Sequence, residues 1–137
     1  MAKPLSYHEQ ETIDNTKRLR QMMRQLPPFC ADFFRGIEPR TSSYAYDLHT
    51  FFEFLKQQNP LLANREMKDF PLSILDEIQL MDLEEYMEFL KCYSTSKRED
   101  LINTERGIMR KVSSLKSFYN YFYRSERIQN NPAALLE

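Results

Sequence analysis

Arg106, Arg110, Ser113, Ser117 and Arg124 recur at helical spacing near the end of this chain. At about 100° per residue they fall on one side of a helix. Cations and short hydroxyls set in a row are the groups that contact phosphates and base edges. Ile108, Val112, Leu115, Tyr119 and Phe122 follow the opposite side, which requires a protein core. The pattern predicts one long helix from about Asn103 to Glu126, apolar inside and basic outside. A basic outer face on its own is most often only solvated, so the remaining sequence has to decide its meaning.

Charge is divided along the chain. The net formal charge is −1, which taken alone argues against a polyanionic partner. Residues 66–91, however, hold eight anions against two cations, a net of −6, while residues 97–127 hold eight cations against four anions, a net of +4. Such asymmetry points to one face meeting a polyanion. It is also compatible with an acidic and a basic helix simply attracting each other.

The elements that must position the basic stripe are helical. Only two glycines occur in 137 residues, too few for the tight turns of a sheet-rich fold. Ser6 with Glu9 reads as a capping box opening a first helix, which runs to about Leu26 with Leu19, Met22, Met23 and Leu26 on one side. Pro27 and Pro28 break it. Phe29, Phe33, Phe34 and Ile37 make a short apolar helix that Gly36 and then Pro39 end. Thr41 is the expected N-cap of a helix over 42–58, on which Tyr44, Leu48, Phe51, Phe52 and Leu55 recur. Residues 60–73 read as a loop, and 73–82 as either a helical turn or an extended stretch. Asp82 with Glu85 reads as a second capping box for a helix to about Cys92. Residues 94–100 read as an exposed, polar loop. Asn131-Pro132 reads as the N-cap and first position of a closing turn. The expected fold is all-α, a compact bundle of about five helices around one core.

No catalytic pattern is present. There is no Gly-rich phosphate loop, no G-x-S-x-G and no H-E-x-x-H. Cys30 and Cys92 stand apart and are expected as reduced core residues. His8 and His49 are isolated, so neither a metal nor a cofactor is expected. Of the eight tyrosines, Tyr44, Tyr46, Tyr86, Tyr119, Tyr121 and Tyr123 sit in helical patterns, where packing is the expected role. A small-molecule substrate is not expected. The absence of a long apolar run or a signal-peptide core points to the cytoplasm, without a membrane partner.

Two stretches together resemble a known family. Residues 41–60 carry a Tyr-x-x-Asp-Leu-x-x-Phe-x-x-Phe-Leu arrangement at Tyr44, Asp47, Leu48, Phe51, Phe54 and Leu55. Residues 110–136 carry Ser-x-Leu-x-x-Phe-x-x-Tyr at Ser113, Leu115, Phe118 and Tyr121, then Asn131-Pro132. In order and spacing this resembles the N-terminal core-binding domain of tyrosine recombinases, the phage-integrase and Xer group, over roughly residues 28–136. The resemblance implies a SAM-like helical domain over 27–132. Residues 1–26 would be an added N-terminal helix, and residues 133–137 would begin a linker to a catalytic domain that is absent here. It implies double-stranded DNA as the partner, with other recombinase protomers assembling on the same DNA in integration or recombination. It places DNA at Arg40, Thr41, Ser42 and Ser43, and at Arg106, Arg110, Lys111, Ser113, Ser114 and Ser117. The second group overlaps the stripe that periodicity shows independently. A helical module that grips another protein, through the acidic helix or through Phe29–Phe34, is the alternative, and charge reversal at Arg110 is the expected discriminator.

Overall fold

The computed structural model describes Pro4 and residues 6–37, 41–97 and 105–136, with backbone alone at 41, 42 and 92–97. All regular structure in these residues is helical: α1 (Tyr7–Gln25), α2 (Cys30–Arg35), α3 (Thr41–Gln58), α4 (Ile74–Glu77), α5 (Leu80–Lys97) and α6 (Glu105–Arg124). Single 3₁₀ turns add Met67–Asp69 and Pro132–Leu135. The bundle therefore has one more α-helix than expected, because residues 74–77 settle as a single turn before extended Ile78.

Aromatic side chains form the centre. Phe29 stacks on Phe118 at 6.1 Å and meets Phe52 and Phe122 edge-on at 6.0 and 5.8 Å. Phe33 lies 5.3 Å from Phe118, and Phe51 lies 5.1 Å from Tyr86. Offset and edge-on pairs of this kind add about 0.5–1.5 kcal/mol each beyond their buried area. The apolar side of α6 predicted from spacing is the buried one, with Ile108, Val112, Leu115, Phe118, Tyr119 and Phe122 all inside. Helix α1 has no fully buried residue and rests on α3 through the partly buried Leu19 and Met23.

Several local expectations change. Ser6 does cap α1, its Oγ accepting from the Glu9 N–H at 3.1 Å. Helix α5 begins two residues before Asp82, which is not its N-cap. The Asp82 carboxylate instead accepts from the Gln79 N–H at 2.8 Å, so Asp82 supplies the reaching-back half of a box. Helix α5 also continues through Lys97, so Ser94–Lys97 are helical rather than loop. Residues 98–100 lie outside the described residues. Gly36 sits at φ −87° and does not use glycine's left-handed freedom. Leu136 is 6% exposed and Ala133 fully buried, so packing extends to Leu136.

Two devices finish the fold. Glu126 takes φ 62°, the Arg127 N–H donates to Phe122 O at 3.0 Å, and the Glu126 N–H donates to Tyr123 O at 3.1 Å. This is the Schellman ending, in which glycine is usual. Asp76 Oδ1 then accepts from the Gln129 and Asn130 N–H groups at 2.8 and 2.9 Å, and Asn131 caps the last turn.

Glu126→Gly is expected to raise unfolding free energy by roughly 0.5–1 kcal/mol in urea titration, since relief of left-handed strain exceeds glycine's added chain entropy. Phe118→Ala is expected to cost about 3–5 kcal/mol by the same measurement.

Candidate nucleic-acid interface

The basic stripe is built on α6 because its other side is fixed in the core. Arg106, Arg110, Ser113 and Arg124 are exposed and Ser117 is half-buried. From Arg106 to Arg124 the stripe extends about 27 Å at 1.5 Å per residue. Asn120 is exposed at the same 3-4 spacing and belongs to the stripe. It is absent from the residues expected from sequence, although continuing the count from Ser113 and Ser117 reaches it. Beside the stripe's far end, Phe33, Gly36, Ile37, Ser117, Asn120, Tyr121, Arg124 and Ser125 line an open groove of about 490 Å³.

One carboxylate ties this surface to the interior. Asp47 projects from α3 with its side chain only 2% exposed. Its Oδ1 accepts from Arg110 Nη2 at 3.0 Å and its Oδ2 accepts from Ser114 Oγ at 2.7 Å. A charge this deep must be paired and hydrogen-bonded to be tolerated. The sequence signal is an acid standing within the apolar stripe of α3, beside Tyr44, Leu48 and Phe51.

This arrangement sorts the expected contact residues. Ser43 is exposed at the start of α3, one turn before Asp47. Thr41 and Ser42 open the same helix, but their side chains, like the whole of Arg40, lie outside the described residues. Ser114 is 4% exposed and bound to Asp47, so it faces inward, away from the stripe. Lys111 is half-buried and falls on the inward arc of α6. Burial pulls its ammonium below the usual lysine range, Asp47 opposing and Arg110 adding to that. Arg110 remains 58% exposed on its side chain while anchored at one nitrogen. Reversing its charge would set a second carboxylate against the buried Asp47 and strain the fold itself, so Arg110 reversal does not discriminate between readings.

Tyr86, Tyr119 and Cys30 are buried and poorly suited to act as nucleophiles. Burial pushes the Tyr86 and Tyr119 phenols well above their usual range, with further upward pressure from Asp47 on the first and from Asp76 and Asp82 on the second. Tyr119 donates to Leu75 O at 3.1 Å. Tyr86 Oη is buried without a hydrogen-bond partner among the described residues. Burial also raises the Cys30 thiol, the mark of an inert packing residue. Cys92 lies outside the described side chains. Among the described residues no group of acids, histidines and cysteines could hold a metal, and no helix is long and apolar enough to cross a membrane.

The tyrosine recombinase XerC of Caldanaerobacter subterraneus subsp. tengcongensis is 34% identical over 125 residues, covering 81% of this chain and 33% of its own length. The XerC recombinase of Lacticaseibacillus casei is 34% identical over 104 residues, 75% of this chain and 28% of the relative. That of Chlorobaculum parvum is 28% identical over 116 residues, 82% and 30%. The chain is related to the XerC tyrosine recombinases. No family model matches it, and no solved structure matches significantly. It spans about a third of the length of the curated relatives it matches. What stands directly is an all-α, Xer-related domain whose charged stripe is braced by a buried acid.

Ser114→Ala is expected to destabilise this Xer-related domain by about 1–3 kcal/mol in urea titration, because one oxygen of Asp47 loses its donor inside the core. Ser113→Ala, one residue away and exposed, is expected to stay within about 0.5 kcal/mol.

Proposed function

We propose that this chain is a non-catalytic DNA-binding domain of a tyrosine recombinase, holding duplex DNA at a recombination half-site. The observation that carries the reading is the outward stripe of Arg106, Arg110, Ser113, Ser117 and Arg124 on a helix whose opposite face is fully packed. Its relation to the XerC recombinases supports the same reading. Ser43, with Arg40, Thr41 and Ser42 beside it in sequence, would add contacts at the start of α3. Free backbone N–H groups and the macrodipole favour an anion there.

The expected division of labour follows from the groups available. Arginines at the two ends of the stripe take phosphates, and Ser113, Ser117 and Asn120 between them approach base edges where α6 lies in the major groove. Phosphate contacts supply most of the affinity and make it fall steeply with salt. The domain binds one side of the duplex and releases readily, because a second linked module would be needed to raise the effective concentration. Cutting and joining belong to catalytic groups outside this chain. Other recombinase protomers on the same DNA are part of this reading.

A second reading has one observation in its favour. Phe54, Met81 and Phe89 line an open groove edged by Glu84, Glu85 and Glu88, a surface suited to a basic amphipathic helix of another protein.

The test is fluorescence anisotropy with a labelled generic duplex across a salt series. The unaltered chain is expected to bind at low salt and release as salt rises. Arg106→Ala with Arg124→Ala is expected to weaken binding across sequences and to lower the salt slope by about 0.9 for each phosphate no longer neutralised. Both residues lie on the outer face, so the fold should survive. A folded double variant with unchanged affinity and slope would remove α6 as the DNA face. Silence of the unaltered chain at low salt would favour the protein-binding groove.

A further inference from the structure

The stripe holds several arginines, but only Arg110 is shown tied to the interior. Its guanidinium meets a carboxylate that cannot swing, because Ser114 holds the second oxygen at 2.7 Å while Arg110 Nη2 sits 3.0 Å from the first. Asp47 is 2% exposed and Arg110 58% exposed at the side chain. The pair thus has one end in the core and the other at the surface. A guanidinium is planar, with five donors in a fixed fork. With one nitrogen held, the direction of its remaining donors is restricted, and part of its charge is answered from beneath.

We propose that Asp47 is a positioning residue for Arg110. It aims and partly neutralises the guanidinium, so that the α6 face favours the fixed phosphate geometry of a duplex over general attraction to any polyanion. This rests on the duplex reading above. An untethered arginine follows whatever phosphate comes near, whereas a tethered one rewards only a phosphate in the right place. Asp47 therefore lowers overall affinity and raises discrimination between nucleic-acid shapes. Ser114 shares in this by fixing the carboxylate, which gives a buried hydroxyl on α6 a consequence at the surface without contact with DNA.

The test compares a generic duplex with one of its single strands, using the whole chain and the variants Asp47→Asn, Ser114→Ala, Arg110→Ala and Asp47→Asn with Arg110→Ala. Asparagine keeps the shape of Asp47 and can still accept from Ser114. Asp47→Asn is expected to tighten binding to both nucleic acids, more so to the single strand, so that duplex preference falls roughly threefold, the scale of an ion pair with one end open to solvent. In the Arg110→Ala background the same change should leave the preference untouched. Ser114→Ala, which loosens the carboxylate but keeps its charge, should move the preference the same way by less, and serves if Asp47→Asn fails to fold. In the free protein, NMR should show a slowly rotating Arg110 guanidinium that becomes fast in Asp47→Asn.

An unchanged preference in folded Asp47→Asn would overturn the proposal, as would a shift of equal size without Arg110. Equal binding of duplex and single strand by the unaltered chain would overturn the positioning while leaving nucleic-acid binding intact. Absence of binding to either would overturn both readings, even where the NMR signature of a held guanidinium is present.

Discussion

The structure depends on a carboxylate held out of water between two helices. Asp47 on α3 is accommodated in the interior because α6 brings it a guanidinium and a hydroxyl four residues apart, on neighbouring turns of one helix. That requirement fixes how α6 is rotated. Turned by one residue, α6 would withdraw Ser114 and push apolar carbon against the acid. The same rotation sets Phe118 and Phe122 among Phe29, Phe33 and Phe52, and leaves the arginines and serines outside. Core packing and surface charge are thus settled by one angular choice.

Charge then separates across the surface. The groove along α6 is lined from α2, α6 and the turns that follow them, while the acidic groove is lined from α3 and α5. They share no residue. A chain that is nearly neutral overall thus sets its cationic strip and its acidic groove on different elements.

Much of this is legible in the amino-acid order. Long helices with strong periodicity, α3 and α6, are recoverable because an apolar side repeats over many turns and a single misplacement cannot hide it. Short or locally decided features are harder. Asp82 resembles an N-cap because its type is right for one, yet Leu80 and Met81 already sit in the helix and the acid reaches back instead. Sequence spacing ends α6 at about Glu126, where the backbone does turn, but the turn is made through Glu126 itself, a residue type that gives no hint of a left-handed conformation. At the site, exposure follows from spacing for Arg106, Ser113 and Arg124. Ser113 and Ser114 have the same side chain and differ only in facing outward or toward Asp47. The partner that Ser114 meets becomes visible once α3 is placed in three dimensions, and in sequence Asp47 stands out as an acid within an apolar stripe, without showing what it binds.

Asp76 holds two consecutive backbone N–H groups, at 129 and 130, from a different part of the chain, and Leu136 is sunk in the core just beyond. Residues 129–136 are consequently riveted rather than tethered. A mechanical pull applied at residue 136 would not straighten a slack strap. It would load α4 through Asp76 and the aromatic centre through Ala133 and Leu136, so displacement at that end and tilt of the whole bundle are geared together as one rigid lever.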